Sequence, residues 1–364
     1  MAAKKSTNLR SGYTTGACAT AAAKAALLSL ITGRVIREVE ILLPIGKTAK
    51  FSIDQAGADG ESATCSVIKD GGDDPDATHG ARIVAAVSWS DEPGIRLDGG
   101  PGVGRVTKQG LPVPVGEAAI NPVPRKMIQE TVSRVLAGCG IRCGVKVVIS
   151  VPGGEEIAKK TLNERLGIVG GISILGTRGT VIPFSTAAYR ASVAQAIKVA
   201  SANGCRHLVF STGGRSEKAA MKIYPELPEE AFVQTGNFIG FALKCAKQAG
   251  VRQVTLAGMM GKLSKAAQGE MNSHSGSATV DCNFLAQVAE KAGASPALVR
   301  EVREANNATH AGQLIEQEGN FLFFTLLCEQ ICRACLAYAE GGIKLETVLV
   351  KLGGERLGRA EMSG

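Results

Sequence analysis

Aromatic residues are scarce in this chain, at 4% of 364 positions with one tryptophan. Histidine is scarcer: His79, His207, His274 and His310 are the only four, and they are widely spaced. Imidazoles dispersed in this way argue against a zinc site, whose ligands cluster at short spacings. No uninterrupted run of about 18 apolar residues occurs, which argues against a membrane-spanning helix. The most apolar early stretch, Ala17–Ile31, is broken by Thr20, Lys24 and Ser29 and reads as a folded helix rather than a signal peptide. The expectation is a cytoplasmic chain with no membrane partner. No Gly-x-Ser-x-Gly elbow is present, and no repeat or low-complexity segment. The lysines and arginines are dispersed and not interleaved with aromatics, so nucleic acid is not the expected partner.

What is present describes an ordinary globular chain, with 45% hydrophobic and 20% charged residues. Its length suggests two domains. Ten scattered cysteines fit free thiols in a reducing compartment. The 45 glycines imply many tight turns and close backbone approaches, as expected where amides meet a ligand. A net charge of +8 favours anionic partners, and a small polyanionic substrate accounts for it as well as any other.

Residues Thr14–Ile31 read as an alanine-rich helix, with Thr14 or Thr15 as cap and Gly33 just beyond its end. Short β-like segments follow at Val35–Leu43, Ala49–Ile53, Ala63–Lys69, Arg82–Trp89 and Val103–Thr107. A helix over Met127–Leu136 and an apolar strand over Val145–Val151 complete this half. In the second half strands and helices alternate, with glycines at the strand ends: strand His207–Ser211, helix Phe238–Ala249, strand Val251–Ala257, and long helices from Thr279 to Glu340. A strand at Glu346–Leu352 closes it. The expectation is an α+β N-terminal domain, residues 1–165, followed by an α/β domain with a mainly parallel sheet, residues 166–364. The glycine-rich Gly167–Gly179 stretch is expected to join the two halves.

The densest polar cluster is Asp70-Gly-Gly-Asp-Asp-Pro-Asp-Ala-Thr-His-Gly80. It could bind a cation or the polar groups of a nucleotide-like molecule, or it could be a solvated turn. Its spacing does not match a calcium loop, and no metal is assigned. Gly99-Gly-Pro-Gly-Val-Gly104 precedes a strand rather than a helix, so it reads as a tight turn and not as a phosphate cradle. Ser211-Thr-Gly-Gly-Arg215 and Gly258-Met-Met-Gly-Lys262 carry more weight. Each puts glycines where a strand passes into a helix, and free amides there suit a carboxylate or a hydroxyl-rich ligand. Cys328, Cys332 and Cys335 have the spacing of an iron–sulfur triad. They fall on one face of an apolar helical segment, however, where cysteine behaves as a small hydrophobe. His207 reads as structural, His310 as a helix cap, and His274 as a donor, base or anchor in a polar stretch.

Several segments together resemble the cobalt-precorrin-5B C(1)-methyltransferase family, CbiD. They are Leu9-Arg-Ser-Gly-Tyr-Thr-Thr-Gly-Ala-Cys-Ala-Thr20, Val67-Ile-Lys-Asp through His79-Gly80, Gly102-Val-Gly-Arg-Val-Thr-Lys108, Gly110-Leu-Pro through Pro124-Arg125, and Gly167-Ile-Val-Gly-Gly-Ile-Ser-Ile-Leu-Gly-Thr177. The resemblance spans nearly the whole chain, with two departures. Gly258-Met-Met-Gly-Lys262 stands where Gly-His-Ile-Gly-Lys is the pattern, and Ser211-Thr-Gly-Gly-Arg215 where a Thr-Pro-Gly-Asn turn is. The resemblance implies transfer of a methyl group from S-adenosylmethionine to C1 of an anionic cobalt-corrinoid, cobalt-precorrin-5B, giving cobalt-precorrin-6A in anaerobic cobalamin biosynthesis. On it, Asp73, His79 and His274 are candidates for a catalytic proton acceptor. Gly213, Gly214, Gly258 and Gly261 are candidates for the cofactor, and Thr14, Thr15, Gly16, Lys108, Asn121, Arg125, Lys262 and Lys265 for the tetrapyrrole. A non-catalytic carrier or scaffold for anionic tetrapyrroles is the other reading, and a homo-oligomer is allowed for.

Overall fold

The computed structural model describes residues 9–272 and 280–364, so His274 lies outside the described residues. The chain divides into two compact units, Met1–Ser185 and Thr186–Gly364.

The first unit is built on a five-stranded sheet with spatial order Gln55–Ala58, Ser62–Ile68, Arg82–Ser90, Gly144–Ser150, Ile95–Gly99. All its neighbours are antiparallel except the last pair, which is parallel. Alternation sets its core face: Ile83, Ala85 and Val87 on one strand and Val145, Val147 and Ile149 on the next are all fully buried. The helix Thr15–Thr32 packs against this sheet and against a second helix, Pro122–Gly138. It is buried on nearly every side, which explains its run of alanines, since larger residues would hold the neighbouring elements apart. A Cβ on Gly16 would sit 2.6 Å from the Pro124 ring.

The caps fall where the sequence puts them. Thr14 Oγ1 accepts from the Ala17 N–H at 3.2 Å, a contact that stabilises such a helix by about 1 kcal/mol, and Gly33 ends it in the left-handed region at φ 65°. The loop Asn121-Pro-Val-Pro enters the second helix with Pro122 at its first position, so that helix starts earlier than the Met127 expected from the apolar pattern.

The glycine-rich stretch does not join the units but belongs to the first. Ile168–Val169 pairs with Arg105–Val106, Gly171–Ile172 with Gly102–Val103, and Thr180–Val181 with Gly12–Tyr13. The division therefore falls after Ser185 and not after residue 165. A Cβ on Gly102, whose φ is 77°, would lie 1.8 Å from the Val151 carbonyl oxygen, and one on Gly171 would lie 2.2 Å from Gly102. These glycines let three backbone segments cross.

The second unit has a five-stranded sheet in the order Phe232–Gln234, His207–Ser211, Gln253–Gly258, Lys344–Val350, Arg356–Ser363. The first four strands are parallel, and the last is an antiparallel edge. That edge strand, arriving after Lys344–Val350, is absent from the sequence reading. Helices Thr186–Ala202, Gly214–Ile223, Met260–Ala267 and Phe321–Ala339 pack with the sheet, Ile239–Gln248 packs on the first and last of these, and a shorter group between Cys282 and Gln317 packs on Met260–Ala267 and Phe321–Ala339.

Two helices, Thr15–Thr32 and Phe321–Ala339, are long and apolar enough to cross a membrane by length and composition, although no uninterrupted apolar run occurs. In the structure both serve as core elements of their units. The first is 78% buried, and the second lays Phe323, Phe324, Leu327 and Ile331 against its own sheet.

Candidate functional site

The sheet of the second unit reverses its winding beside its first strand. From His207–Ser211 the chain passes to Phe232–Gln234 on one side and then to Gln253–Gly258 on the other. The crevice beyond the carboxyl ends of such strands is where open α/β sheets take ligands. The two loops there are the two glycine motifs, leading into helices Gly214–Ile223 and Met260–Ala267. Helix N-termini leave amides unpaired and carry partial positive charge, so this crevice favours hydroxyls and anions.

Polar groups converge on the crevice. Lys262 Nζ donates to the Thr212 carbonyl at 2.7 Å, linking the start of one helix to the loop that opens the other. Desolvation lowers the Lys262 pKa below the usual lysine value, and nearby Lys265 adds to the effect. Ser216 Oγ donates to the Gly213 carbonyl at 2.8 Å, and Gln234 Nε2 donates to the buried Glu217 carboxylate at 2.7 Å. Ser211, the last residue of the first strand, is fully buried, and its hydroxyl has no partner among the described residues. An orphaned hydroxyl at this position fits a ligand that supplies the missing bond.

The four glycines do different work. A Cβ on Gly213 would meet nothing within 4 Å, and one on Gly214 only the Gln234 side-chain nitrogen at 3.8 Å, so both flank open space. A Cβ on Gly258 would press on Leu263 at 2.8 Å, which gives that glycine a packing reason. Gly261 sits in the first turn of its helix with Thr309 nearest, at 3.7 Å.

In the first unit the start of helix Thr15–Thr32 meets the Asp70–Gly80 loop. Thr14 and Thr15 line a cavity of about 170 Å³ with Asp76 and Thr78 of that loop. Thr161, Asn163 and Ser173 complete its polar lining, and Leu175 and Val181 supply apolar contact. Its floor holds a residue the sequence reading passed over. Lys69 is 1% exposed, among the largest of the fully buried side chains, and donates to Asp76 Oδ2 at 2.6 Å. The signal was available: Ala63, Cys65, Val67 and Lys69 alternate on the buried face, so a lysine occupies a core position.

The loop's carboxylates are each engaged within the unit. Asp70 forms a two-pronged ion pair with Arg10, and that guanidinium holds its carboxyl down at about 2. Asp73 accepts from the Arg10 backbone N–H at 2.6 Å, and Asp74 accepts from the Phe184 N–H at 2.9 Å. Burial alone pushes the Asp76 carboxyl up, but bonds from Lys69 and Thr78 outweigh it and hold it below the ordinary value. His79 is exposed, and its Nδ1 accepts from the Gly71 N–H at 3.0 Å, which leaves Nε2 as the outward-facing nitrogen. Asp73 and His79 thus both lie on the loop surface, and neither lines the cavity.

The remaining substrate candidates of this unit lie apart from the cavity lining. Gly16 stands next to it, and its N–H donates to the Leu175 carbonyl at 3.0 Å. Lys108 lies over Gly167, Asn121 stands at the N-cap position of helix Pro122–Gly138 without a side-chain cap bond, and Arg125 pairs with Glu117 at 3.1 Å.

Cys328, Cys332 and Cys335 are buried along the helix Phe321–Ala339, with Cys332 Sγ 3.2 Å from Thr347 Oγ1. Burial pushes all three thiols up, Cys332 to about 11, so they are not thiolates at neutral pH. His207 also has a structural setting, within hydrogen-bond distance of Thr255 Oγ1 at 2.7 Å. His310 contributes its Nδ1 to the Asn306 N–H at 3.4 Å, while Asn307 caps the helix Ala308–Gln317.

Comparison with known proteins is consistent along the chain. The family model described as CbiD matches residues 2–183, and that of the CbiD C-terminal domain matches residues 272–361. A protein of Geobacillus sp. (strain WCH70), named cobalt-precorrin-5B C(1)-methyltransferase, is 63% identical over 97% of this chain and 96% of its own length. A protein of Priestia megaterium with the same name is 59% identical over 99% of this chain and 98% of its own. The crystal structure of a cobalamin biosynthesis protein (cbiD) from Archaeoglobus fulgidus is 31% identical, covering 72% of this chain and 82% of that one, with a TM-score of 0.41. With both family models matched in order and such relatives aligned along almost the whole length, this chain belongs to the CbiD family.

Proposed function

We propose that this protein methylates C1 of cobalt-precorrin-5B with S-adenosylmethionine, giving cobalt-precorrin-6A in anaerobic cobalamin biosynthesis in the cytoplasm. One observation carries the reading: relatives bearing that activity's name match at 59–63% identity over 97–99% of the chain. The methyl donor is assigned to the crevice of the second unit. The orphaned Ser211 hydroxyl, the open space over Gly213 and the paired helix starts support that placement.

S-adenosylmethionine supplies an electrophilic methyl on a sulfonium; the C1–methyl bond forms as the sulfur–methyl bond breaks, leaving neutral S-adenosylhomocysteine. Such a displacement asks the protein chiefly to align the partners and exclude water. In the second unit Gly213 and Gly214 leave room for the donor beside their amides, and Lys262 holds the two loops together. The anionic ring is assigned to the Thr14–Thr15 helix start, with Asp73 and His79 of the adjoining loop as proton acceptors. Each already accepts a bond, His79 Nδ1 from the Gly71 N–H and Asp73 from the Arg10 N–H, so either takes a proton by giving up that bond.

Calorimetric titration of the full chain with S-adenosylmethionine and S-adenosylhomocysteine tests the donor site. A dissociation constant below about 100 μM for either is expected. Absence of binding both alone and with a corrinoid present would remove the methyltransferase assignment and leave tetrapyrrole carriage.

A further inference from the structure

We propose that the cavity around Lys69 is a carboxylate pocket that takes one carboxylate arm of the anionic tetrapyrrole. This assignment rests on the substrate class proposed above and identifies where in the first unit it is gripped.

The one carboxylate lining the pocket is already engaged, whereas two of its donor groups, the Lys69 ammonium and the Thr14 hydroxyl, still have protons to give. Asp76 is spent: its Oδ1 accepts from the Thr78 N–H at 2.7 Å and the Thr78 hydroxyl at 2.6 Å, and its Oδ2 accepts from Lys69. The Lys69 ammonium has three N–H groups, and Asp76 is its one hydrogen-bond partner among the described residues. Thr14 Oγ1 accepts the Ala17 N–H, which leaves its own proton to give. The 18-residue helix beginning at Thr15 has no acidic residue in its first turn to offset its positive end. A carboxylate is acceptor-only and carries the matching charge.

Shape agrees with that chemistry. A volume of about 170 Å³ holds a short arm and not a ring. Lys69, Thr14, Thr15 and Ser173 are buried at its base, whereas Leu175 is 47% exposed and apolar at its edge. A flat, largely apolar macrocycle resting against Leu175 would present a charged arm inward. A buried lysine is costly to keep solely for structure, since ion pairs buried in a core are often replaced by apolar residues without loss.

The test uses cobyrinic acid, a corrinoid with free carboxylates, and its heptamethyl ester, which has none. Equilibrium dialysis against the full chain gives their affinities. The wild type is expected to bind the acid at least about tenfold more tightly than the ester, as a charge-assisted bond predicts. The double variant Lys69→Met/Asp76→Asn, which strands no buried charge, is expected to lose that preference to within about twofold. Leu175→Glu alters an exposed position and guards against misfolding; it is expected to weaken the acid and spare the ester. A folded double variant that keeps the full preference overturns the proposal. So does a Leu175→Glu protein that binds both ligands as the wild type does, or a wild type that fails to distinguish them or binds neither up to ~1 mM. S-adenosylmethionine binding is measured in parallel. Its loss in the wild type, with the acid preference intact, would count against the donor assignment and leave the pocket standing.

Discussion

Lys262 and Thr212 face each other across the point where the second unit's sheet reverses its winding, joined by a 2.7 Å bond from ammonium to backbone carbonyl. The bond spends one of three lysine donors and fixes the spacing of two helix starts. Lys262→Met keeps the side chain's bulk and removes the bridge. The expected outcome is a loss of S-adenosylmethionine affinity of about tenfold, about 1.4 kcal/mol, with a melting temperature close to wild type. Calorimetry and thermal denaturation on the same sample check both halves.

Two glycines separate a packing role from a binding role. Gly102 has φ 77°, and a Cβ there would lie 1.8 Å from the Val151 carbonyl oxygen, so Gly102→Ala is expected to destabilise the first unit by about 3 kcal/mol or more. Gly213 has extended backbone and no atom within 4 Å of a built Cβ. Gly213→Val is therefore expected to fold with a stability within about 0.5 kcal/mol of wild type and to lose donor binding. Retention of full donor affinity by Gly213→Val would move the donor site elsewhere.

Much of this architecture was written locally. The helix Thr15–Thr32 was legible because its cap, its small-residue run and its terminal glycine are consecutive signals. The parallel strands His207–Ser211 and Gln253–Gly258 were legible because each is an apolar run ended by glycine. Three features were not. Gly167–Gly179 looked like a connector because its partners, Gly102–Val106 and Gly12–Tyr13, lie far away along the chain. The edge strand Arg356–Ser363 is solvated along one face, and Arg356, Arg359 and Glu361 interrupt its apolar residues, so it lacks an apolar run. Lys69 was read as the end of the strand Ala63–Lys69 and given no role, although its register there places it on the core side. For the site, the sequence singled out Thr14 and Thr15 and the Asp70–Gly80 loop, and it counted the loop's carboxylates as available when the fold had engaged them.

Thiol reactivity gives an independent check on burial. Cys139 and Cys143 are exposed, whereas Cys18, Cys328, Cys332 and Cys335 are buried, with Cys18 pushed up to about 12 by burial. Thiolate is the reactive form, so a disulfide reagent at pH 8 is expected to label Cys139 and Cys143 rapidly. These buried thiols, with Cys65 and Cys205, which are buried too, are expected to react only after denaturant is added. Mass spectrometry of tryptic peptides reads the order directly, and fast labelling of Cys332 would contradict the packing of its helix.

Acid sensitivity should arise at the end of the second sheet opposite the crevice. Glu346 is fully buried there and accepts from Tyr224 at 2.7 Å, from Thr255 at 2.6 Å and from Arg359. Burial by itself pushes its carboxyl up, yet these bonds together outweigh it and hold it below the ordinary value of 4.5. His207, which meets Thr255, is pushed below its ordinary 6.5 by burial. In both cases the unfolded chain binds its proton at a higher pH than the folded chain does, so stability is present at neutral pH and falls on acidification. The histidine contributes to the loss as pH drops below about 6.5, and the glutamate as it drops below about 4.5. Replacing one member should therefore remove one part of the profile. His207→Gln is expected to flatten the melting-temperature curve between pH 7 and 5, in the range where imidazole titrates. Glu346→Ala is expected to lower stability by about 2–4 kcal/mol at pH 7, because the Tyr224 and Thr255 hydroxyls lose their acceptor, and to flatten the curve below pH 4.5. A Glu346→Ala protein with the wild type's acid limb would show that the carboxylates of the first unit, Asp70 and Asp76 foremost, set the acid limit instead.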